Sequence, residues 1–403
     1  MTREKCVMLI LAVCLAAFLS SGATQGQTVE GLPIITVVDL DCGWLGRVNV
    51  WGDHLYISTR TRSERPSGVV IMDVRDPAKP IQVGYIDEHY GRAAAFSGHY
   101  IFLARHDPEP EGDDHALHVV DIADPAHPVL VATNETAGAP QDIEVYANYA
   151  YVVARTRSEG ELPRLSVFDI SDPTRPIKVA SLAVNGNRLA LVPPDLLGPP
   201  RGAESPTSGA RPGGGPLLYV CGSGDASSET HLTAISMADP SEPRIVASSP
   251  DHYAAMCRVG SVLVMSPPSI EQREGQLVFL DGTRPFTELG YYDTRAANLY
   301  ETRPGAGDRH VYYADWEFGE VYVLDISKPH APVKVARGAT GLPGLISFAP
   351  TARHVYMAFT DRPSGAKSLG VMGALKVAED VKSADMDHPV DSIAPPPLDL
   401  FAE

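Results

Sequence analysis

The sequence lacks the common signatures of catalytic sites. It contains no Gly-rich phosphate loop, no G-x-S-x-G element and no CxxC, HxH or HExxH pair. The usual nucleotide-binding, serine-hydrolase and zinc motifs are therefore missing. Positive charge is also in deficit, with 33 Lys and Arg against 50 Asp and Glu and a net charge of −17. That balance argues against binding to nucleic acid or to anionic membrane surfaces.

Cysteine is scarce, with five in 403 residues. Two of the five, Cys6 and Cys14, lie within the first 19 residues, which leaves Cys42, Cys221 and Cys257 in the remainder of the chain. An odd number leaves at least one thiol unpaired within the chain, so no disulfide framework holds the fold together. Convincing 3.6-residue periodicity is missing as well, and long helices are not expected.

One apolar run stands out, at residues 6–19, where it follows two basic residues and precedes the small residues Ser21 to Ala23. The run is too short to cross about 30 Å of hydrocarbon. The pattern predicts a secretory signal peptide over residues 1–23, with a lipoprotein signal centred on Cys14 as the alternative. We therefore expect a secreted or periplasmic protein without a transmembrane span.

Glycine and proline are abundant, at 35 residues each, which indicates many turns. Many of these turns belong to a repeat, written SVFDISDPTRPIKVASL at residues 166–182 and VIMDVRDPAKPIQVGYI at residues 70–86. Copies lie 44 to 48 residues apart, except for one interval of 67 residues. A strand-rich repeat of this period predicts the blade of a β-propeller. Aligned on the first acidic position, the copies begin at Asp73, Asp121, Asp169, Ser236, Asp281 and Asp325.

Each repeat contains four predicted strands, a to d, which in one copy read DIEVYA, YAYVVA, LSVFDI and PIKVASL. These segments are rich in β-branched and aromatic residues and are bounded by turn formers. The Asp and Pro residues of the motif occupy the c–d turn. There a carboxylate can accept backbone N–H bonds and proline presets φ. We interpret the regularly spaced Asp residues as structural rather than catalytic.

The D-x-x-D-P-x-x-P motif resembles the LVIVD repeat family of β-propeller-like modules in exported and surface proteins of bacteria and archaea. The resemblance covers roughly residues 32–378 and is weakest at Asp281, where the turn is shortened to DGTRPF. It implies a propeller fold and an exported location. It implies no catalytic residues.

The two ends of the repeat region fix the number of blades. LPIITVVDLD at residues 32–41 resembles a strand d, whereas KSLGVMGAL at residues 367–375 resembles a strand c that has no strand d after it. We expect an all-β, seven-bladed β-propeller over residues 32–378, closed by the N-terminal strand, since closure hides both edges. The other segments are a linker at 24–31, a low-complexity insertion at 193–216 in the a–b turn of the fourth blade, and a disordered tail at 379–403.

The working face should be the one that carries the d–a crossings and b–c loops, around the mouth of the central channel. Propellers generally place their sites there. Arginines that begin or precede inner strands suit an anion site, with structural pairing as the alternative. The predicted ligand-binding residues are Arg47, Arg92, Asn185, Arg188 and Arg295.

A second set of residues comes from the crossings themselves. Counting nine residues on from the last proline of each motif aligns Cys42, His89 and His252. Each follows an acidic residue, namely Asp41, Glu88 and Asp251 in turn. Cys and His suit zinc or copper, and the carboxylates could ligate the ion or orient the imidazoles. The alternative is an exposed polar rim without metal.

These features favour an exported propeller that binds a small molecule, a glycan or a protein through its d–a face. The alternative is a propeller enzyme, either a hydrolase, a lyase or a metal-dependent oxidoreductase, with its site at the channel mouth. A purely structural surface module is a third class. Bound metal would favour the enzyme, and a large exposed apolar patch would favour a protein partner.

Overall fold

The computed structural model describes residues 30–60, 68–87, 91–105, 116–136, 138–155, 164–197, 215–222, 231–266, 275–294, 299–304, 309–315, 319–342, 344–361 and 365–375. The predicted signal peptide, most of the linker and the tail lie outside these ranges. Within them the chain forms seven β-sheets, one per blade. Each blade has four antiparallel strands, from the inner strand a to the outer strand d. In blade 7 the outer strand comes from the N-terminus, and the sheet of blade 6 has a fifth strand.

Blade 1 comprises β3 (Trp44–Trp51), β4 (His54–Arg60), β5 (Gly68–Asp73) and β6 (Ile81–Asp87). Blade 2 comprises β7 (Gly91–Ser97), β8 (Tyr100–Arg105), β9 (Ala116–Asp121) and β10 (Val129–Glu135). Blade 3 comprises β11 (Ala139–Tyr146), β12 (Tyr149–Arg155), β13 (Arg164–Asp169) and β14 (Ile177–Ala183). Blade 4 comprises β15 (Arg188–Val192), β16 (Leu217–Cys221), β17 (Leu232–Ser236) and β18 (Arg244–Ser249). Blade 5 comprises β19 (Ala255–Val259), β20 (Val262–Ser266), β21 (Gln276–Asp281) and β22 (Thr287–Asp293). Blade 6 comprises β23 (Leu299–Pro304), β24 (His310–Asp315), β25 (Glu320–Asp325) and β26 (Val333–Ala339), and blade 7 comprises β27 (Leu345–Pro350), β28 (His354–Thr360), β29 (Lys367–Gly373) and β2 (Ile34–Asp39).

The hydrophobic core is divided among the blade interfaces. Seven clusters of buried residues each join two neighbouring blades, and the series closes between blade 7 and blade 1. Successive side chains of a strand point to opposite faces, so both faces of a central strand can be apolar when each packs on a different neighbour. The continuous burial of strands b and c, for example in β9 and β16, has this cause.

The N-terminal segment closes the ring, as the sequence predicted. β2 pairs antiparallel with β29, and the Leu40 amide donates to the Lys367 carbonyl at 2.8 Å just beyond that ladder. One detail differs from the prediction. The end of the expected linker forms a short strand, β1 (Glu30–Gly31), which pairs parallel with β26 in blade 6. The Leu32 amide extends this contact by donating to the Arg337 carbonyl at 2.8 Å. No local sequence pattern predicts β1, because the strand with which it pairs lies some three hundred residues away.

The c–d turns use the motif carboxylates in the expected way. In blade 3 the Ser171 amide donates to Asp169 Oδ1 at 2.9 Å, and the Thr174 amide donates to Asp172 Oδ1 at 3.0 Å. The corresponding residues of the other turns make the same type of bond, including Asp73, Asp76, Asp121, Asp124, Asp239, Asp281 and Asp325. These carboxylates therefore close turns, and their regular spacing is explained without catalysis.

The predicted insertion falls between β15 and β16, which are strands a and b of blade 4. Its start forms a short 3-10 helix, Pro194–Leu197, in which Leu197 is buried against the cluster between blades 4 and 5. Residues 198–214 lie outside the described ranges. Within those ranges, no helix has the length and apolar character needed to cross a membrane.

Candidate functional site

The inner strands carry β-bulges near the d–a face. Five of the seven strands a show a register shift in their pairing with strand b, namely β3, β7, β11, β23 and β27. A bulge adds a residue to one strand and re-aims the local side chains, and bulges are enriched beside functional sites. Arg47, Arg92 and Gln141 occupy bulges. Two predicted arginines therefore lie where the channel wall departs from regular pairing.

A buried carboxylate joins three blades at this end of the channel. The Arg47 guanidinium donates through Nη1 to Asp142 Oδ1 at 2.9 Å. The second carboxylate oxygen, Oδ2, accepts the backbone N–H of Leu189 at 3.0 Å. Because the side chains of Arg47 and Asp142 are only 25% and 9% exposed, this pair is well shielded from solvent. Strands a of blades 1, 3 and 4 are thus tied together by one residue.

Arg188 begins strand a of blade 4 and lies opposite Cys221 in the β15–β16 ladder. Burial raises the pKa of the Cys221 thiol to about 12, with Arg188 acting against the rise and Asp142 adding to it. The thiol is fully buried and stays protonated at neutral pH, so it is not a nucleophile.

A second polar group lies at the d–a face of blades 3 to 5. Asn185, in the crossing from blade 3 to blade 4, is buried, and its Nδ2 lies 3.4 Å from His231 Nδ1. The His231 ring stacks on the His252 ring with centroids 4.6 Å apart and planes inclined by 25°. His252 Nε2 is buried and has no hydrogen-bond partner among the described residues. Burial, followed by the neighbouring His231, lowers the pKa of His252.

The remaining described members of the predicted metal set have other partners. Asp251 Oδ2 accepts the Ser249 hydroxyl at 2.7 Å, and the Asp251 amide donates to that hydroxyl oxygen. Cys42 is partly buried and packs on the hydrophobic cluster between blades 7 and 1, whereas Asp41 is exposed.

Glu88, His89 and Arg295 lie outside the described residues, as does the side chain of Arg92. In the portion of the chain that is described, no group of three or more His, Cys, Asp or Glu residues could hold a metal ion. The zinc or copper site formed by Cys42, His89 and His252 stays a prediction.

The structure forms two groups that contain predicted residues. Arg47 contacts Asp142, and Asn185 and His252 each contact His231. Sequence reasoning missed Asp142 and His231. Counting nine residues from the last proline of each motif does not reach His231, because His231 precedes strand c, at the end of a b–c loop. Asp142 was missed because only arginines were considered at the start of strand a, although Asp142 is the first residue of the predicted strand DIEVYA. A search for all polar residues at the start of strand a and at the ends of the b–c loops would have found both.

Comparison with known proteins agrees with the fold. The LVIVD repeat model matches residues 94–136 and 137–184. No protein of curated function matches the sequence. Among solved structures, the WD40 domain of Toxoplasma gondii coronin is similar at a TM-score of 0.58 and 10% identity, covering 91% of this chain and 94% of that one.

Two enzymes also share the architecture. Kuenenia stuttgartiensis hydrazine synthase is similar at a TM-score of 0.52 and 15% identity, covering 88% of this chain and all of that one at 100%. Pseudomonas aeruginosa periplasmic gluconolactonase is similar at a TM-score of 0.51 and 11% identity, covering 72% and 83%. At these identities the likeness concerns the fold alone. The chain is a seven-bladed β-propeller with LVIVD repeats, as its motif predicted.

Proposed function

We propose that this protein is an exported propeller that binds a small polar molecule or a glycan through its d–a face. The observation that supports this most strongly is the junction of Arg47, Asp142 and the Leu189 amide, which brings charged and polar groups from three blades to the channel mouth. Burying such groups is costly unless they are paired. A mouth lined by a few oriented polar groups is typical of ligand sites.

The same face supports a second candidate, an enzyme. His252 is a neutral imidazole at neutral pH, since burial lowers its pKa, and a neutral imidazole can act as a general base. The partner that such a base would activate is not found among its described contacts. Binding is therefore the first proposal, and a hydrolase, lyase or metal-dependent oxidoreductase is the second.

The exported location rests on the predicted signal peptide and on the resemblance to exported LVIVD proteins. Expression in a bacterial host with an intact leader should release a periplasmic form whose N-terminal residue is Thr24. Mass spectrometry of the intact protein measures this directly. Retention of the full leader on a cytoplasmic product would contradict the location.

The binding proposal can be tested with two matched arginine variants. Arg188→Gln removes a charge at the d–a face, while Arg284→Gln removes one from a c–d turn on the opposite face, where Arg284 is 64% exposed. A panel of sugars, sugar acids and short peptides is screened by the rise in melting temperature. We expect the ligand-induced rise to fall in Arg188→Gln and to persist in Arg284→Gln.

A rise that is lost only in Arg284→Gln would place binding on the other face and overturn the proposal. Elemental analysis of protein purified without added metal separates the two candidate functions. A stoichiometric transition metal, together with turnover of a lactone or ester, would favour the enzyme.

A further inference from the structure

The histidine pair between blades 4 and 5 has a defined hydrogen-bonding pattern. The Asn185 amide nitrogen can only donate, so His231 Nδ1 accepts its hydrogen bond and carries a lone pair. The tautomer of His231 that fits this contact carries its proton on Nε2.

The His252 ring is stacked on His231, with the ring centroids 4.6 Å apart. Burial, followed by the neighbouring His231, lowers the pKa of His252, which favours its uncharged form.

The geometry of the stack does not suit a shared metal ion. An imidazole ligates a metal through a lone pair in the plane of its ring, at about 2.0–2.1 Å from the nitrogen. Two stacked rings with planes only 25° apart have no common point at that distance from both nitrogens. The unpaired nitrogen of His252 therefore calls for a hydrogen-bonding group rather than for an ion held by both rings.

A hydroxyl group meets this requirement best. His231 offers a donor at Nε2, and the buried His252 Nε2 lacks a partner among the described residues. A hydroxyl can both donate and accept, whereas a carboxylate at neutral pH only accepts. The nearby Asp251 carboxylate also disfavours an anion at this position by like-charge repulsion.

We propose that Asn185, His231 and His252 form a hydroxyl-binding subsite for a neutral polyhydroxylated ligand of the sugar class. This inference rests on the proposed binding function of the d–a face and names the chemistry of its ligand. The ligand hydroxyl bonds to His252 Nε2, and Asn185 fixes the tautomer of His231. A buried polar atom that gains its partner only on binding discriminates against ligands that lack the hydroxyl.

The test uses NMR of the full mature protein labelled with ¹⁵N, in which both the histidine ring nitrogens and the backbone amides are recorded. In the free protein we expect His231 Nδ1 to carry no proton, because it accepts from Asn185. D-glucose, D-galactose and myo-inositol serve as neutral probes, and acetate and inorganic phosphate as anionic ones. At least one polyol should shift the His252 Nε2 resonance, and neither anion should do so.

Two substitutions accompany the titration. His252→Phe keeps a stacking ring but removes the nitrogen, and we expect about tenfold weaker polyol binding by calorimetry. His354→Phe is the control, since His354 starts strand b of blade 7 on the opposite face and is likewise partly buried. It should leave binding unchanged. The melting temperature of each variant shows that it is folded.

Each failure has a distinct reading. If no polyol shifts the His252 resonance, or if only acetate or phosphate does, the hydroxyl subsite is overturned. Polyol-induced shifts confined to other residues of the d–a face overturn the subsite and leave the proposed function standing. Shifts confined to the c–d turns overturn both. A His231 proton on Nδ1 in the free protein overturns the assigned hydrogen bond and the subsite with it.

Discussion

Arg47 and Asp142 lie 95 residues apart in sequence, yet the guanidinium of one donates to the carboxylate of the other at 2.9 Å. The two belong to strands a of blades 1 and 3, so their contact passes over blade 2 at the channel mouth. Asp142 also accepts the Leu189 amide of blade 4. The pair therefore stabilises the ring and shapes its mouth at the same time.

Replacing either partner of this pair should destabilise the protein. In Asp142→Asn and Arg47→Met we expect the free energy of unfolding to fall by about 1–3 kcal/mol, because each change leaves the other buried partner unsatisfied. The double variant should lose less than the sum, with a coupling of about 1 kcal/mol. Urea unfolding of all four proteins measures the cycle. Strict additivity would show that the contact contributes nothing.

Closure by the N-terminal strand makes residues 32–41 essential. Deleting them removes β2 and exposes the edge of β29, so we expect a large drop in melting temperature and a tendency to aggregate. Deleting the tail from Ala378 onward is the comparison, since the described strands end at Gly373. The tail deletion should leave the melting temperature nearly unchanged. Equal effects of the two deletions would rule out the closure strand.

The insertion in blade 4 should divide into a structural start and a dispensable remainder. Replacing residues 199–214 with a short Asn-Gly turn should preserve folding and ligand binding, because this turn lies on the face opposite the channel mouth. Leu197→Ala, by contrast, removes a side chain buried between blades 4 and 5 and should cost about 2 kcal/mol. Thermal unfolding of the wild type and of both variants measures these changes in stability. Loss of binding on replacing 199–214 would mean that the working face is wrongly assigned.

Gly84 shows how closely the outer strands approach the next blade. A Cβ built on Gly84 would lie 2.0 Å from the Pro125 carbonyl oxygen in the c–d turn of blade 2. Gly84→Ala should therefore push the two blades apart and destabilise the protein by about 1–3 kcal/mol. Ala132→Gly, at the matching position of blade 2, creates no clash and should cost less, about 0.5–1 kcal/mol. Equal melting temperatures for Gly84→Ala and the wild type would contradict the close approach.

Buried histidines should make the protein sensitive to mild acid. Burial lowers the pKa of His310 even though Asp325 acts to raise it, and burial likewise lowers the pKa of His354. The unfolded chain therefore takes up protons first, below about pH 6.5, and stability falls from there until the folded pKa is passed. We expect the melting temperature of His310→Gln to fall less between pH 8 and pH 5 than that of the wild type. An equal fall in the two proteins would show that His310 does not cause the sensitivity to acid.

The sequence alone determined the architecture of this protein. Strand patterns and Asp-Pro turns involve residues close together in the chain, and their physics is local, so the blade, its period and the c–d turns could all be read from the motif. The closure was also predicted from the sequence. Residues 32–41 resemble a strand d without the rest of its blade, and residues 367–375 resemble a strand c without a strand d. Pairing the two removes an exposed sheet edge. The signal peptide and the export that it implies were also sequence predictions, and they await a test.

Only the tertiary structure decided which side chains meet at the mouth. The Arg47–Asp142 pair depends on bulges in two inner strands, and the Asn185–His231 contact joins a d–a crossing to the end of a b–c loop 46 residues later. A bulge shifts side-chain direction without a reliable local signal, and the curvature of the ring sets which blades face each other. Those distances emerge only after seven interfaces have packed. The period of a repeat can therefore predict the propeller but not which side chains meet at its mouth.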